Sequence, residues 1–411
     1  MKTLLRPIDN AILVYFRFFA GILLAWELVS DLMQGALREY TTSDFHFSYL
    51  FFDWIRPWSE WGMVAHFSLT IGAGIFVAFN FCYRLSSILL FLGYASLFLM
   101  EKAEYINHIY LYTLVAFWLM VLPLNKKRGE APAWILYLLL FHISIVYLFA
   151  GIAKINPDWL SGNTMNHFLM SRGWNKPEWG QYLAWAGMLF DLLVVPFLLI
   201  RFTRPLAFLA ATVFHVSNAF MFGLATFPWF ALMMTAMFFD PSWPRRFYPK
   251  LIPFNKYIRF FRLPALTPLI ALYCILQVLI PLRLHLYPGD TLWTEEGHMF
   301  AWRMKLRAKS GNVHYFVKNK FTQEVRIISP QSYLTPKQYR TLVGRPDQIL
   351  QFAHYLRDEF KETLGWSVEI RASSMVGVNG SGLKEMIKQG VDLAQEKRKL
   401  GPYSWIYRSP K

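Results

Sequence analysis

Apolar runs of about 20 residues, each long enough to cross a hydrocarbon core of about 30 Å as a helix, dominate the first 280 or so positions. Candidate spans lie at 11–33, 62–83, 85–101, 107–124, 133–153, 181–200, 205–223, 225–240 and 264–282. In lipid a backbone must satisfy its own hydrogen bonds, so such runs can only be helices. The expected fold is an α-helical polytopic bundle of about eight or nine transmembrane helices, followed by a small soluble α+β domain. The break falls near Pro281-Leu282-Arg283, giving a membrane domain over 1–282 and a soluble domain over 283–411.

Charge supports this division. Only 17% of residues are charged, against about 25% in soluble domains. The net charge of +16 raises nucleic-acid binding, but many basic residues sit in short loops, where the positive-inside rule explains them better. Nucleic acid is therefore not an expected partner, and membrane lipid is. With the N-terminus inside, the inside segments hold Lys2 and Arg6, Arg84, Lys126-Lys127-Arg128, Arg201 and Arg204, and the stretch from Arg245 to Arg262. Nine helices satisfy every loop and put the C-terminal domain on the extracytoplasmic side. Lys2 and Arg6 precede an apolar run as in a signal peptide. That run contains Arg17 and Glu27 and has no small-residue cleavage site, so it reads as a retained first helix. The aromatic segment 36–61 suits an interfacial layer. Cys82 and Cys274 suggest neither disulfide nor zinc and read as buried small hydrophobes.

In the C-terminal part, Val313–Val317 and Val325–Ile328 read as a strand pair and Val368–Ala372 as a half-exposed strand. Pro346–Leu364 is amphipathic with a helix-start signal. Gly382 to Leu400 reads as a last helix.

Ionisable groups in lipid are costly, so they pair or serve a function. Lys154 ends an apolar run; it is either a desolvated base or a lysine snorkelling to the headgroups. His108 opens the fourth span and is either a proton carrier or a structural histidine. His215 and Asn218 share one helical face and either line a cavity or bond neighbouring helices. Asp191 lies deep in the sixth span, with Lys154, Arg17 or a histidine as candidate partner. Arg17 stands likewise in the first. The run Trp293 to Met304 falls at the mouth of the bundle, as an anchor or as a site for an acidic group. There is no nucleophile elbow, Walker loop, dinucleotide fingerprint, zinc helix or other metal-ligand spacing.

Four stretches together carry a resemblance. They are Asn107-His108 with Tyr110-Leu111; Ala150-Gly151-x-x-Lys154 with Asp158-Trp159-Leu160 and Gly162; Phe214-His215-x-x-Asn218 through Phe227-Pro228-Trp229; and Trp293 to Met304. In this order they resemble the vitamin K-dependent γ-glutamyl carboxylase family, in its short bacterial form. Cys82-Tyr83-Arg84, Asp191-Leu192 and Val368 to Asn379 fit as well. The resemblance implies an enzyme, a carbon–carbon lyase, that oxidises reduced vitamin K or menaquinol with O2. The oxidation is coupled to γ-carboxylation of glutamate in a peptide or protein by CO2, and the quinone leaves as an epoxide. The family's catalytic lysine falls on Lys154, which would deprotonate the hydroquinone. Its essential histidine falls on His108, which would act at the carbanion or protonation step. Asn107, His215, Asn218 and Phe227 are the residues expected around the hydroquinone. Trp302, Arg303 and Arg307 are expected on the substrate side, and Arg17 and Asp191 as structural polar groups in the membrane. The alternative is a non-carboxylating relative that binds a quinone or assists peptide export.

Overall fold

The computed structural model describes residues 2–125, 129–174, 178–247 and 265–410. The expected inside charges at Lys126-Lys127-Arg128, Lys250, Lys256, Arg259 and Arg262 lie outside the described residues, as does position 264. Nine apolar helices are described: α1 Ala11–Met33, α2 Glu60–Ala78, α3 Tyr83–Met100, α4 Asn107–Val121, α5 Ala133–Ala153, α6 Glu178–Leu199, α7 Arg204–Phe222, α8 Phe227–Ala236 and α9 Thr267–Leu282. Seven are long and apolar enough to cross a membrane; α4 and α8 are shorter. Ten residues of α8 rise about 15 Å, half a hydrocarbon core. The expected span 225–240 is shorter at both ends: α7 ends on Gly223 at φ 62° and Pro228 sits in the first turn of the restarted helix, which then stops at Ala236. Irregular backbone at such a break is tolerated where it is enclosed or lines a cavity, and Gly223 to Ala225 line one.

The span expected at 62–83 stops at Ala78. Asn80 and Cys82 take left-handed conformations in the turn that follows. Cys82 is therefore exposed rather than buried, and Cys274 is half-buried; both thiols are free. Helices α1 and α2 touch through glycines: a Cβ on Gly21 would sit 2.6 Å from the Gly74 carbonyl oxygen. Small residues are what let membrane helices approach so closely.

The two ends of the bundle differ. At one, β1 (Pro7–Asp9) pairs antiparallel with β2 (Glu130–Pro132), Arg245 Nε meets Asp9 Oδ2 at 2.6 Å, and Arg84 donates to the Met120 carbonyl at 3.1 Å. The soluble domain docks on the other end, opposite the N-terminus. Its sheet comprises β3 (Lys309–Asn319), β4 (Val325–Ile328), β5 (Val368–Val378) and β6 (Lys384–Glu385). The order is β4-β3-β5-β6, all antiparallel. Val313, Tyr315 and Val317 point inward at period two and meet Ile349, Phe352, Ala353 and Leu356 of α11 (Pro346–Leu364), which follows α10 (Pro336–Gly344). The expected bounds of α11 hold to the residue.

The helix expected over Gly382 to Leu400 is absent. Met386 N donates to Ser374 O at 3.0 Å, Leu393 N to Ile370 O at 2.7 Å and Lys388 N to Trp405 O at 2.9 Å. Gly390 turns the chain at φ +84°. The edge of β5 supplies the bonds that a helix would have made internally.

The segment 36–61 divides. Phe47 is buried in the soluble domain's core and Phe45 packs against it, while Phe51, Trp54 and Trp61 are exposed. Buried Glu101 fastens the two domains: its carboxylate accepts from Gln338 Nε2 at 2.8 Å and Ala103 N at 2.8 Å, and lies 3.0 Å from His46 Nδ1.

Candidate functional site

A cavity of about 990 Å³ opens beneath the soluble domain, walled by α1, α4 to α8 and the segment 298–307. Lys154 caps the C-terminus of α5. Its Nζ is ion-paired with Asp191 of α6, lies 3.4 Å from the Ala150 carbonyl and sits 5.3 Å from the Trp159 ring centroid. Gly151 makes this reach possible. A Cβ there would meet the Leu192 side chain at 2.7 Å and its backbone nitrogen at 3.1 Å, so glycine lets α5 and α6 approach closely, one turn from the pair, with Leu192 undisturbed. Both partners are buried, and a buried charge is stable only when paired. The environment of Lys154 is thus desolvation plus a carboxylate, and it does not snorkel.

His108 stands in the first turn of α4. Its Nε2 lies 3.2 Å from Glu27 Oε1, and its ring stacks on Phe227 at 5.6 Å. The other oxygen of Glu27 accepts from the Thr226 hydroxyl, which is 2.9 Å from Tyr112 OH. Asn107 donates to the Arg303 carbonyl at 3.1 Å and so ties α4 to the mouth. Deeper, His215 Nε2 lies 2.6 Å from Tyr147 OH, which is 3.2 Å from Thr235 Oγ1. Phe190 and Phe214 stack at 4.0 Å beside them.

The mouth is built differently. Arg307 pairs with Glu295, and Lys309 Nζ reaches the same carboxylate at 2.9 Å while donating to Trp293 O at 2.6 Å and Gly344 O at 2.9 Å. Burial pushes the Glu295 carboxyl up, but Arg307 and Lys309 outweigh it and hold it well below the usual range. Burial brings Lys309 down to about 8, against the pull of Glu295. Burial, then Arg307, hold the His298 imidazole well below its ordinary value. Burial and Arg307 also lower the Arg303 guanidinium. Two buried nitrogens here, His298 Nδ1 and Arg303 Nε, have no hydrogen-bond partner among the described residues.

Lys154, His108, Asn107, His215, Asn218, Phe227, Asp191, Arg303 and Arg307 all line this one cavity. Two of the singled-out residues do not. Trp302 is buried in the bundle core, stacked on Tyr110 at 4.9 Å, where its large apolar ring is removed from water, and its backbone is left-handed (φ 55°). Arg17 faces the opposite end, where it donates to the Leu124 carbonyl at 3.0 Å. Sequence reasoning passed over Tyr147 and Thr226, noted Glu27 only as a charge within the first apolar run, and took in His298 only as part of the run Trp293 to Met304. Glu27 had a signal, an acid within an apolar run; a tyrosine or threonine in such a run has none.

Residues 5–243 match the HTTM domain family, and residues 263–411 match the vitamin K-dependent gamma-carboxylase, lumenal domain. The second match begins before α9, so the last apolar helix goes with it. No solved structure matches the chain. The two matches run in order along nearly the whole sequence and support a gamma-carboxylase-like enzyme with a membrane-embedded part. The chain belongs to the vitamin K-dependent gamma-carboxylase family.

Proposed function

We propose that this protein carboxylates glutamate side chains at the γ-carbon, using a lipid-soluble hydroquinone, O2 and CO2. The observation that carries the reading is that Lys154 and His108, on separate helices, meet at one apolar-walled cavity below the soluble domain. A γ-proton of glutamate is beyond any side-chain base at neutral pH, and oxidation of the bound hydroquinone supplies the missing driving force. The residues present fit such a group. The volume is at the upper end for a small-molecule site, and Phe190, Phe214 and Phe227 offer ring faces. Leu206, Leu209 and Val213 line the cavity yet are 70%, 58% and 60% exposed on the outer face of α7, so its wall reaches lipid, where such a compound dissolves.

Once the Lys154–Asp191 pair has shed one proton, the neutral Lys154 Nζ can take a proton from a phenolic hydroxyl, and the ammonium so formed returns to its ion pair with the Asp191 carboxylate. His108 handles a proton on the glutamate side. Arg303 and Arg307, with His298 beside them, attract the glutamate carboxylate at the mouth. Arg6, Arg84, Arg201 and Arg204 gather at the N-terminal end, which supports a cytoplasmic N-terminus and an extracytoplasmic soluble domain.

The test is an epoxidation assay on the purified protein in nanodiscs, with vitamin K hydroquinone or menaquinol, labelled bicarbonate and a glutamate-containing peptide. Epoxide and labelled peptide, both lost in Lys154→Ala, are the expected result. No epoxide with either quinol from folded protein would favour a non-carboxylating quinone-binding or export-assisting relative.

A further inference from the structure

A neutral imidazole carries its proton on one nitrogen only, and the partner of one nitrogen sets the role of the other. His108 Nε2 faces Glu27 Oε1 at 3.2 Å. Thr226 has a single hydroxyl proton and gives it to the second oxygen of Glu27. Its own oxygen is then left to accept, so Tyr112 OH, 2.9 Å away, must donate. The bonds run Tyr112 to Thr226 to Glu27 Oε2, and they leave the other carboxylate oxygen, Oε1, facing His108. All three members of this chain are buried, at 0% (Tyr112), 1% (Thr226) and 4% (Glu27) exposure, so a missing partner here is costly. Phe227 and Tyr112, each with its ring centroid 5.6 Å from that of His108, restrict the tilt of its ring.

We propose that Glu27 is a positioning residue: it holds His108 as the Nε2–H tautomer and leaves Nδ1 as the proton acceptor at the cavity. The proposal rests on the reading of His108 as a participant in carboxylation. A bond that merely glued α1 to α4 would leave tautomer and turnover number alone, and that sets the test.

Glu27→Gln keeps the size but has one acceptor, which cannot serve both Thr226 and His108. In the full-length protein in nanodiscs, kcat for carboxylation should fall about 10- to 100-fold, as for outer-shell partners of a working histidine, with KM for quinol and peptide within about threefold. Glu27→Asp should recover part of the loss. Nitrogen-15 NMR of histidine-labelled protein without substrate, with the His108 signals assigned through His108→Gln, should show the Nε2–H tautomer in the parent and its depletion in Glu27→Gln. Should Glu27→Gln fail to fold, Thr226→Val should act in the same direction with a smaller effect, about 3- to 10-fold. Parental kcat in Glu27→Gln, or an unchanged tautomer in the variant that folds, overturns the proposal. If His108→Gln turns over like the parent, the role given to His108 in the reaction falls instead, and the tautomer measurement still decides whether Glu27 sets it.

Discussion

The inner cavity and its mouth handle charge in opposite ways. Inside, three partnered sets stand out: Lys154 with Asp191, His108 with Glu27, His215 with Tyr147. At the mouth, three cationic side chains and a histidine gather around Glu295, and Arg303 Nε and His298 Nδ1 have no partner among the described residues. In each inner set the polar groups lie within hydrogen-bond reach of one another. The mouth carries surplus positive charge that an incoming anion can complete. In a low dielectric an unpartnered polar group is costly, so the partnered sets suit the interior, and the two unpartnered nitrogens mark where the mouth would gain from a further acceptor.

This contrast can be broken most forcefully at Lys154. Lys154→Ala should abolish epoxidation and carboxylation together, by about 10²- to 10⁴-fold for loss of a general base, as measured in the quinol assay. It leaves Asp191 buried without its cation. Asp191→Ala does the reverse and should cost about 3–5 kcal/mol of stability, as for one half of a buried pair, read as a large drop in the thermal unfolding temperature.

Arg303→Gln should act on binding alone. The KM for a glutamate-containing peptide should rise about tenfold, equivalent to about 1.4 kcal/mol, with kcat for quinol epoxidation unchanged. Equal losses in both would count against the proposed substrate-side role of Arg303.

Acid should loosen the mouth before the inner cavity. His298 is held neutral in the fold by burial and Arg307. The unfolded chain binds a proton there below about pH 6.5, so stability falls as pH drops through that value. Glu295 is depressed by Arg307 and Lys309 against its burial. Its contribution is present above the unfolded value near 4.3 and is lost as pH falls further. Unfolding temperature should therefore decline in two stages, and His298→Gln should remove the upper one. Smallest of all, Trp302→Phe should change stability by about 1 kcal/mol or less and leave the peptide KM alone. Trp302 stacks on Tyr110 rather than lining the cavity, so a shift in KM would contradict that placement.

Much of the architecture was legible in the chain. Nine apolar segments gave nine apolar helices, because a backbone in lipid has no other way to satisfy its own bonds. The α11 boundaries were readable from Pro346 and a strong apolar stripe. Errors fell where local rules compete. Helix α2 stopped early at a turn of Asn80 and Cys82 that hydropathy does not register. Residues 382–400 carry apolar pairs seven apart, Met386-Ile387 and Leu393-Ala394, that suit a helix, but the edge of β5 offered better bonds.

The sequence by itself determined that this chain lives in a membrane, to within three residues where its apolar helices begin, and which ionisable groups had to find partners there. It named three candidate partners for Asp191 and had no means to choose among them. Tertiary structure chose Lys154, because Gly151 lets α5 close on Leu192 of α6, and sent Arg17 to the other end of the bundle. It also joined Glu27 to His108 across 81 positions of chain. The physical reason is one of range: solvent exclusion acts on each segment separately and is written in composition, whereas partner choice depends on which helix faces come within hydrogen-bond distance.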